Sequence, residues 1–325
     1  MKFEKKILIT GGSGFIGSHF IKLLLKNERN ISIFNIDALT YAGDNRRLEE
    51  IFNRQNYHFI KCDIRNRTDL FQHLKEIKPD VIFHFASETH VDNSIKRPAK
   101  FISTNITGTF NILEYIRTNS CRLIHISTDE IYGERNKRDP LFKESDNFRP
   151  SSPYSASKAA QEMLINSYIR TYNIKAVIIR PCNHFGPFQH KEKFIPKCIL
   201  NAINNRPIPI YGDGQNKREW IYVEDGCQAI YQIFKQGRDG EIFNIGSGIL
   251  LSNIQVAKEI LRLTSRSESL IRFIPDRAGH DRLYGVNFNR LKGLGFKITI
   301  PFSEGIKRTI DWFTNFSNFS KRQDF

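Results

Sequence analysis

Cysteine is scarce in this 325-residue chain. Its five cysteines, Cys62, Cys121, Cys182, Cys198 and Cys227, are scattered and never spaced as Cys-x-x-Cys. An odd set without paired spacing excludes a disulfide framework and a zinc motif, and points to reduced thiols in a cytoplasmic compartment. Long apolar runs are missing too: none approaches the roughly 18 residues of a membrane span. The first strand is predicted from Ile7, which leaves no room for a signal peptide. Acidic residues are the minority, 34 against 49 Lys and Arg, for a net charge of +15. The cations are interleaved with acids and apolar positions, without a like-charge block or a nucleic-acid module. They read as a basic solvated surface or as steering for a small anionic substrate, not as a nucleic-acid footprint. No internal repeat or low-complexity tract is present. What is there is ordinary for a globular protein, 40% hydrophobic and 26% charged. The length suits one large α/β domain or two smaller ones.

The first half alternates short apolar runs with helical patterns. Lys6–Thr10 reads as a strand, Gly11-Gly12-Ser13-Gly14-Phe15-Ile16-Gly17 follows at once, and Phe20–Leu25 carries a helical period. Strand, glycine turn and helix are the context a dinucleotide fingerprint requires: a tight turn, a close backbone approach to a pyrophosphate, and a helix N-terminus aimed at it. The next strand, Ile31–Ile36, ends at Asp37, where a carboxylate can accept from both ribose hydroxyls and would repel a 2′-phosphate; NAD is favoured over NADP. Strands at 57–61, 81–85 and 123–126 continue the alternation, with helices near 68–77 and from Pro98 to about Arg117. The exit of the fourth strand, Ala86–Asp92, is expected to cross the crevice as a polar loop. Together these elements predict a doubly wound parallel sheet.

Two later stretches carry chemistry. Ser127-Thr128-Asp129-Glu130-Ile131-Tyr132-Gly133 places a hydroxyl and two adjacent carboxylates at a strand end. Pro153–Tyr172 is predicted as a helix with Tyr154 and Lys158 four apart on one face, where an ammonium would lower the tyrosine pKa and make it a usable base. Beyond a strand at 175–180, residues 181–187 read as a loop leaving the sheet. A helix near 195–203 and a strand at 207–211 follow. Trp220–Phe234 and Glu241–Ile245 read as a helix and strand returning to the sheet. Asn253–Leu263, 271–274 and Ser303 to about Phe316 complete the pattern, with a polar tail expected to fray.

The chain resembles the extended short-chain dehydrogenase/reductases over nearly its whole length, and within them the nucleotide-sugar 4,6-dehydratases. The likeness rests on Asp37–Gly43, His90-Val91-Asp92, Thr128-Asp129-Glu130, Tyr154/Lys158, Glu192–Pro196, Tyr211–Gln215 and Gly279–Arg282. It implies a Rossmann-type doubly wound sheet with a smaller C-terminal α/β substrate domain. Residues 1–182 plus 219–247 would bind NAD, and 183–218 plus 248–325 the nucleotide sugar. The implied reaction oxidises C4, eliminates water across C5 and C6 and returns the hydride to C6, with dTDP-glucose the leading substrate. Tyr154 would deprotonate the C4 hydroxyl with help from Lys158, Thr128 would bond the C4 oxygen, Glu130 would be the C5 base, and protonated Asp129 the acid at C6. For the cofactor the likeness points to Gly11, Gly12, Gly14, Phe15, Ile16, Gly17, Asp37, Leu39, Thr40, Asp63, Ile64, Phe85, Ala86, Ser87, Thr89, Thr104, Tyr154, Lys158 and Asn183. For the substrate it points to Thr89, Thr128, His184, Lys193, Phe194, Pro209, Tyr211, Arg218, Asn253, Arg277 and His280. It also implies a homodimer built on the helices at 98–117 and 153–172. His184 departs from the asparagine usual there; with His190 it lacks a third metal ligand, so no metal is expected. A dehydratase on UDP- or CDP-glucose or UDP-N-acetylglucosamine, a 4-epimerase, a UDP-glucuronate decarboxylase and a catalytically silent NAD-binding regulator are the alternatives. Asp129 separates dehydration from the epimerase and decarboxylase readings.

Overall fold

A computed structural model describes residues 5–320, with side chains described as far as residue 315. In chain order its strands are β1 (Lys5–Thr10), β2 (Ile31–Asp37), β3 (Tyr57–Lys61), β4 (Val81–His84), β5 (Arg122–Ile126), β6 (Ala176–Pro181), β7 (Asn183–Phe185), β8 (Ile208–Tyr211), β9 (Lys217–Tyr222), β10 (Ile242–Ile245), β11 (Leu250–Ser252) and β12 (Ile271–Ile274). The α-helices are α1 (Phe15–Asn27), α2 (Arg67–Ile77), α3 (Val91–Lys96), α4 (Pro98–Phe101), α5 (Gly108–Thr118), α6 (Pro153–Tyr172), α7 (Phe194–Ile203), α8 (Val223–Gln236), α9 (Asn253–Leu263), α10 (Asn289–Gly293) and α11 (Phe302–Ser320). Among the described residues, no helix is long and apolar enough to cross a membrane.

The main sheet has seven strands in the order β10-β6-β5-β4-β1-β2-β3, and every neighbouring pair is parallel. Its central strands are apolar on both faces because helices cover both. Phe20, Leu24, Ile230 and Ile233 of α1 and α8 pack on one face, and Leu70, Leu74, Ile112 and Ile165 of α2, α5 and α6 on the other. The chain winds outward from β1 to β3, then restarts at β4 on the opposite side. This reversal opens a crevice beyond the ends of β1 and β4, where doubly wound sheets bind ligands. Two small sheets, β11-β9-β7 and β12-β8, share a separate apolar cluster with α7, α9 and α11.

Four expectations are modified. The helix from Pro98 is not uniform: a π-helical stretch, Ile102–Thr107, separates α4 from α5. The wider turn faces Thr104 into the crevice while Asn105 bonds Glu88 and Ser157. The exit of β4 is not all loop, since α3 forms there with the His90 side chain capping Asn93 N–H; histidine is a weak cap signal, so the helix goes unnoticed in sequence. Residues 183–185, expected as loop, form β7 because Trp220-Ile221-Tyr222, expected as helix, is strand and pairs with them. The last helix runs past Phe316 to Ser320, and the remainder of the polar tail, 321–325, lies outside the described residues.

Candidate active site

At one end of the crevice the backbone does the work. Gly11 leaves β1 with φ +73°, and a Cβ on it would sit 2.6 Å from the Ala86 nitrogen. A Cβ on Gly17 would meet the Gly11 carbonyl at 2.5 Å, so α1 packs tightly on the strand it follows. Gly14 is the N-cap of α1 and offers no side chain to its free N–H groups. These glycines keep open a cradle at a helix N-terminus, which fits a pyrophosphate. Gly12 has a different role: its missing Cβ makes room for Asn35 and Ile21 beneath the turn. Asp37, buried at the end of β2, accepts Ser13 N–H (3.0 Å) and Leu39 N–H (2.8 Å). Burial pushes its carboxyl up, and those two bonds and Arg47 oppose the shift. Leu39 itself does not line the crevice; Phe15, Ile16, Thr40, Asp63, Ile64, Phe85, Ala86, Ser87, Thr104 and Asn183 do. Arg47, in a charged stretch that reads as solvated surface, is instead buried and donates to the Ser13 and Ala42 carbonyls at 2.7 and 2.6 Å.

The other end is built from buried charge. β5 delivers Ser127 and Thr128; Thr128 caps a single 3-10 turn, Asp129–Tyr132, by accepting Glu130 N–H. Gly133 ends the turn at φ +75°, pressed against the Arg149 carbonyl. Tyr132 anchors it from below, donating to Asn244 (2.8 Å), accepting from Arg180 (2.6 Å) and stacking on Phe142. Arg180 is in turn held by Glu162 of α6 at 2.7 Å, both buried. The turn with the two carboxylates and the helix with Tyr154 and Lys158 are therefore fastened through one network. A Ser152/Ser155 capping box with Pro153 at the first position starts α6 just before Tyr154.

Burial pushes the Asp129 carboxyl well up, and the charges of Glu130 and Glu219 add to it. Burial also raises Glu130, but Arg277, Arg218 and Lys193 pull it back. Both carboxyls are thus raised by burial, but three cations oppose the shift at Glu130 and only one, Arg218, opposes it at Asp129. Tyr154 departs from expectation: burial, with Glu130 and Asp129, pushes its phenol up. Burial outweighs the help expected of Lys158, whose Nζ donates to the Ile126 carbonyl (2.7 Å) while burial pulls its own value down to about 7.

The residues expected to meet substrate divide. Thr89, Thr128, His184 and Lys193 line the crevice. Phe194, Pro209, Tyr211, Arg218, Asn253, Arg277 and His280 lie outside its lining, though Arg218 and Arg277 come close enough to act on Glu130. Tyr211 and Arg277 both bond Asp92, at 3.0 and 3.2 Å, and His280 pairs with Asp276 at 2.6 Å. Phe194 stacks on Trp220; Pro209 lies within β8 and Asn253 begins α9. His184 is wedged between the Cys182 carbonyl (2.9 Å) and Gly226, where any Cβ would collide with its ring. Burial holds it down to about 4, so it is a neutral packing histidine. Sequence reasoning missed Glu219, whose carboxylate accepts the N–H groups of Ser247, Gly248 and Val286, and Tyr284, which stacks on Arg218 at 4.2 Å. Neither carries a local signal.

Cradle, adjacent carboxylate pair and Tyr/Lys face on one crevice define an enzyme of the extended short-chain dehydrogenase/reductase class. Residues 8–309 match the profile of the GDP-mannose 4,6 dehydratase family, and the chain belongs to that family. It is 44% identical over 308 residues to the low-salt glycan biosynthesis protein Agl12 of Haloferax volcanii, covering 94% of this chain and 98% of that one. It is 40% identical to the dTDP-glucose 4,6-dehydratase of Neisseria meningitidis, covering 95% and 93%. The crystal structure of dTDP-glucose 4,6-dehydratase from Bacillus anthracis in complex with NAD superposes with a TM-score of 0.90 at 36% identity, covering 98% and 99% of the two chains.

Proposed function

We propose that the protein is an NAD-dependent 4,6-dehydratase of a nucleoside-diphosphate hexose, with dTDP-glucose the leading substrate. The observation that carries this reading is the adjacent Asp129–Glu130 pair at the end of β5, Asp129 buried and Glu130 half-buried, lining one crevice with Thr128, Tyr154 and Lys158. Bound NAD supplies a hydride acceptor for C4 and a hydride donor for C6. The chain's own residues move the protons. Tyr154, beside Thr128 in the crevice lining, takes the C4 hydroxyl proton in its phenolate form. The resulting ketone acidifies the C5 proton, and Glu130, ringed by Arg277, Arg218 and Lys193, removes it. Asp129, kept protonated, gives its proton to the departing C6 hydroxyl, so the acid and base roles follow from environment.

On this reading residues 1–182 plus 219–247 hold NAD and 183–218 plus 248–325 hold the nucleotide sugar. The dimer pairs the helical faces at 98–117 and 153–172, where Ile102, Met163 and Tyr172 are exposed large apolar side chains; sedimentation tests it. Five free, buried thiols support a cytoplasmic, reducing compartment. Incubation with dTDP-, UDP- and CDP-glucose and UDP-N-acetylglucosamine, followed by mass spectrometry, tests the reaction. Loss of water with no net consumption of cofactor is expected. A product of unchanged mass, or no turnover, overturns it.

A further inference from the structure

The exit of β4 carries a carboxylate that the proton transfers above do not use. Asp92 lies in the first turn of α3 and reaches across the crevice to the small sheets. It accepts the Tyr211 hydroxyl from the end of β8 at 3.0 Å and Arg277 Nη1 at 3.2 Å. Just upstream, the Thr89 carbonyl accepts Lys193 Nζ at 2.7 Å. α3 also packs on α6, the helix of Tyr154 and Lys158. The segment from Thr89 into α3 therefore joins the helix of Tyr154 and Lys158 to three polar groups, two of them, Tyr211 and Arg277, through α3 itself.

The bonding leaves a defined edge of Arg277 open. Nη1 is held by Asp92, while Nε is buried without a hydrogen-bond partner. Arg218 is in the same condition: Nη1 bonds the Lys217 carbonyl and the plane covers Tyr284, while Nη2 is buried and unpartnered. Arg218 is only 6% exposed. Two immobilised guanidinium groups, each with an unsatisfied buried N–H, form a costly arrangement that an anion with several oxygens would complete. A diphosphate has that chemistry, and the planar guanidinium fork suits it.

We propose that Asp92 is a positioning residue for the substrate diphosphate. It grips Arg277 by one terminal nitrogen and Tyr211 by its hydroxyl, so that the remaining N–H edge of Arg277 is aimed before the ligand arrives. Asp92 does not touch the phosphates, which carry its own sign of charge; it acts through Arg277 by removing rotamer freedom that binding would otherwise have to freeze. The inference rests on the nucleotide-sugar reading.

The test compares full-length wild type, Asp92→Asn, Arg277→Gln and the double variant. Calorimetric binding of dTDP is measured beside KM and kcat for the sugar substrate. Asp92→Asn is expected to weaken dTDP binding and raise KM roughly tenfold, with kcat held within about twofold. Thymidine, which lacks the diphosphate, should bind wild type and variant alike. In the Arg277→Gln background, Asp92→Asn should add nothing, because its effect runs through that side chain. Unchanged dTDP affinity in Asp92→Asn, additive losses, or a fall in kcat at constant KM overturns the proposal. A folded wild type that binds neither dTDP nor UDP overturns the nucleotide-sugar reading and this inference together. Binding by wild type with an indifferent Asp92→Asn overturns the inference alone.

Discussion

The two ends of the crevice solve opposite problems. The dinucleotide end is made of absent side chains and backbone bonds: glycines where a Cβ would collide, and an Asp37 carboxylate that accepts the Ser13 and Leu39 N–H groups. The end proposed to transfer protons is made of titratable groups, with Asp129, Tyr154 and Lys158 buried. Asp129 Oδ2 and Ser127 Oγ have no hydrogen-bond partner, and Asp129, Tyr154 and Lys158 are all held away from their ordinary values by burial. Shape gives the first end its affinity; frustrated charge gives the second its chemistry. Stability and catalysis should therefore respond in opposite senses at the two ends.

The strongest break in that comparison comes from removing a proton-transfer group. Glu130→Gln and Tyr154→Phe should each lower turnover by roughly 10²–10⁴-fold with little change in cofactor affinity, read by coupled kinetics and cofactor titration. Glu130→Gln should still form reduced cofactor from the C4 oxidation, visible by absorbance, whereas Tyr154→Phe should not. At the other end, Gly11→Ala forces a Cβ into the Ala86 backbone at a positive φ. It should weaken cofactor binding about 30-fold, as expected for roughly 2 kcal/mol of strain, and lower the melting temperature as well. Asp37→Ala should act more gently, narrowing the preference for NAD over NADP by about tenfold, as measured by the two dissociation constants.

The smallest effect has the most telling sign. Lys158 is held down from 10.5 to about 7, so the fold favours its neutral form. Its contribution to stability is full above the unfolded value and is lost as pH falls toward 7. Lys158→Met should therefore raise the melting temperature by about 2 °C near neutral pH and by nothing near pH 10, while abolishing turnover. Asp129, raised instead, has the mirror dependence: Asp129→Asn should stabilise the protein increasingly as pH climbs. Thermal scans across pH check both. A melting temperature that drops for these variants would erase the distinction between the two ends.

The strand–helix alternation of the first half, the glycine cradle, Asp37, the Thr128–Glu130 run and the Tyr154/Lys158 face were all legible in sequence, because each depends on neighbours within a few residues. A strand-turn-helix forms its own anion site, and a spacing of four guarantees a shared helix face. The missed features depend on segments far apart in the chain. α3 has no standard cap, and Asp92 finds its role only because residues 211 and 277 arrive opposite it. β7 exists only because β9 lies beside it. The lowering of the tyrosine pKa inferred from spacing is outweighed by burial of Tyr154 between distant segments, and Ile126, thirty-two residues from Lys158, accepts from its Nζ.

The sequence by itself thus determined the fold class and the candidate reacting groups, since periodicity, glycine turns and adjacent acids act locally. Only the tertiary structure decided which of those groups hold a proton, which cations face Glu130, and what holds Arg277 in place. Proton affinity and guanidinium orientation are set by burial and by charges across the crevice, and neither is encoded in any short stretch of chain.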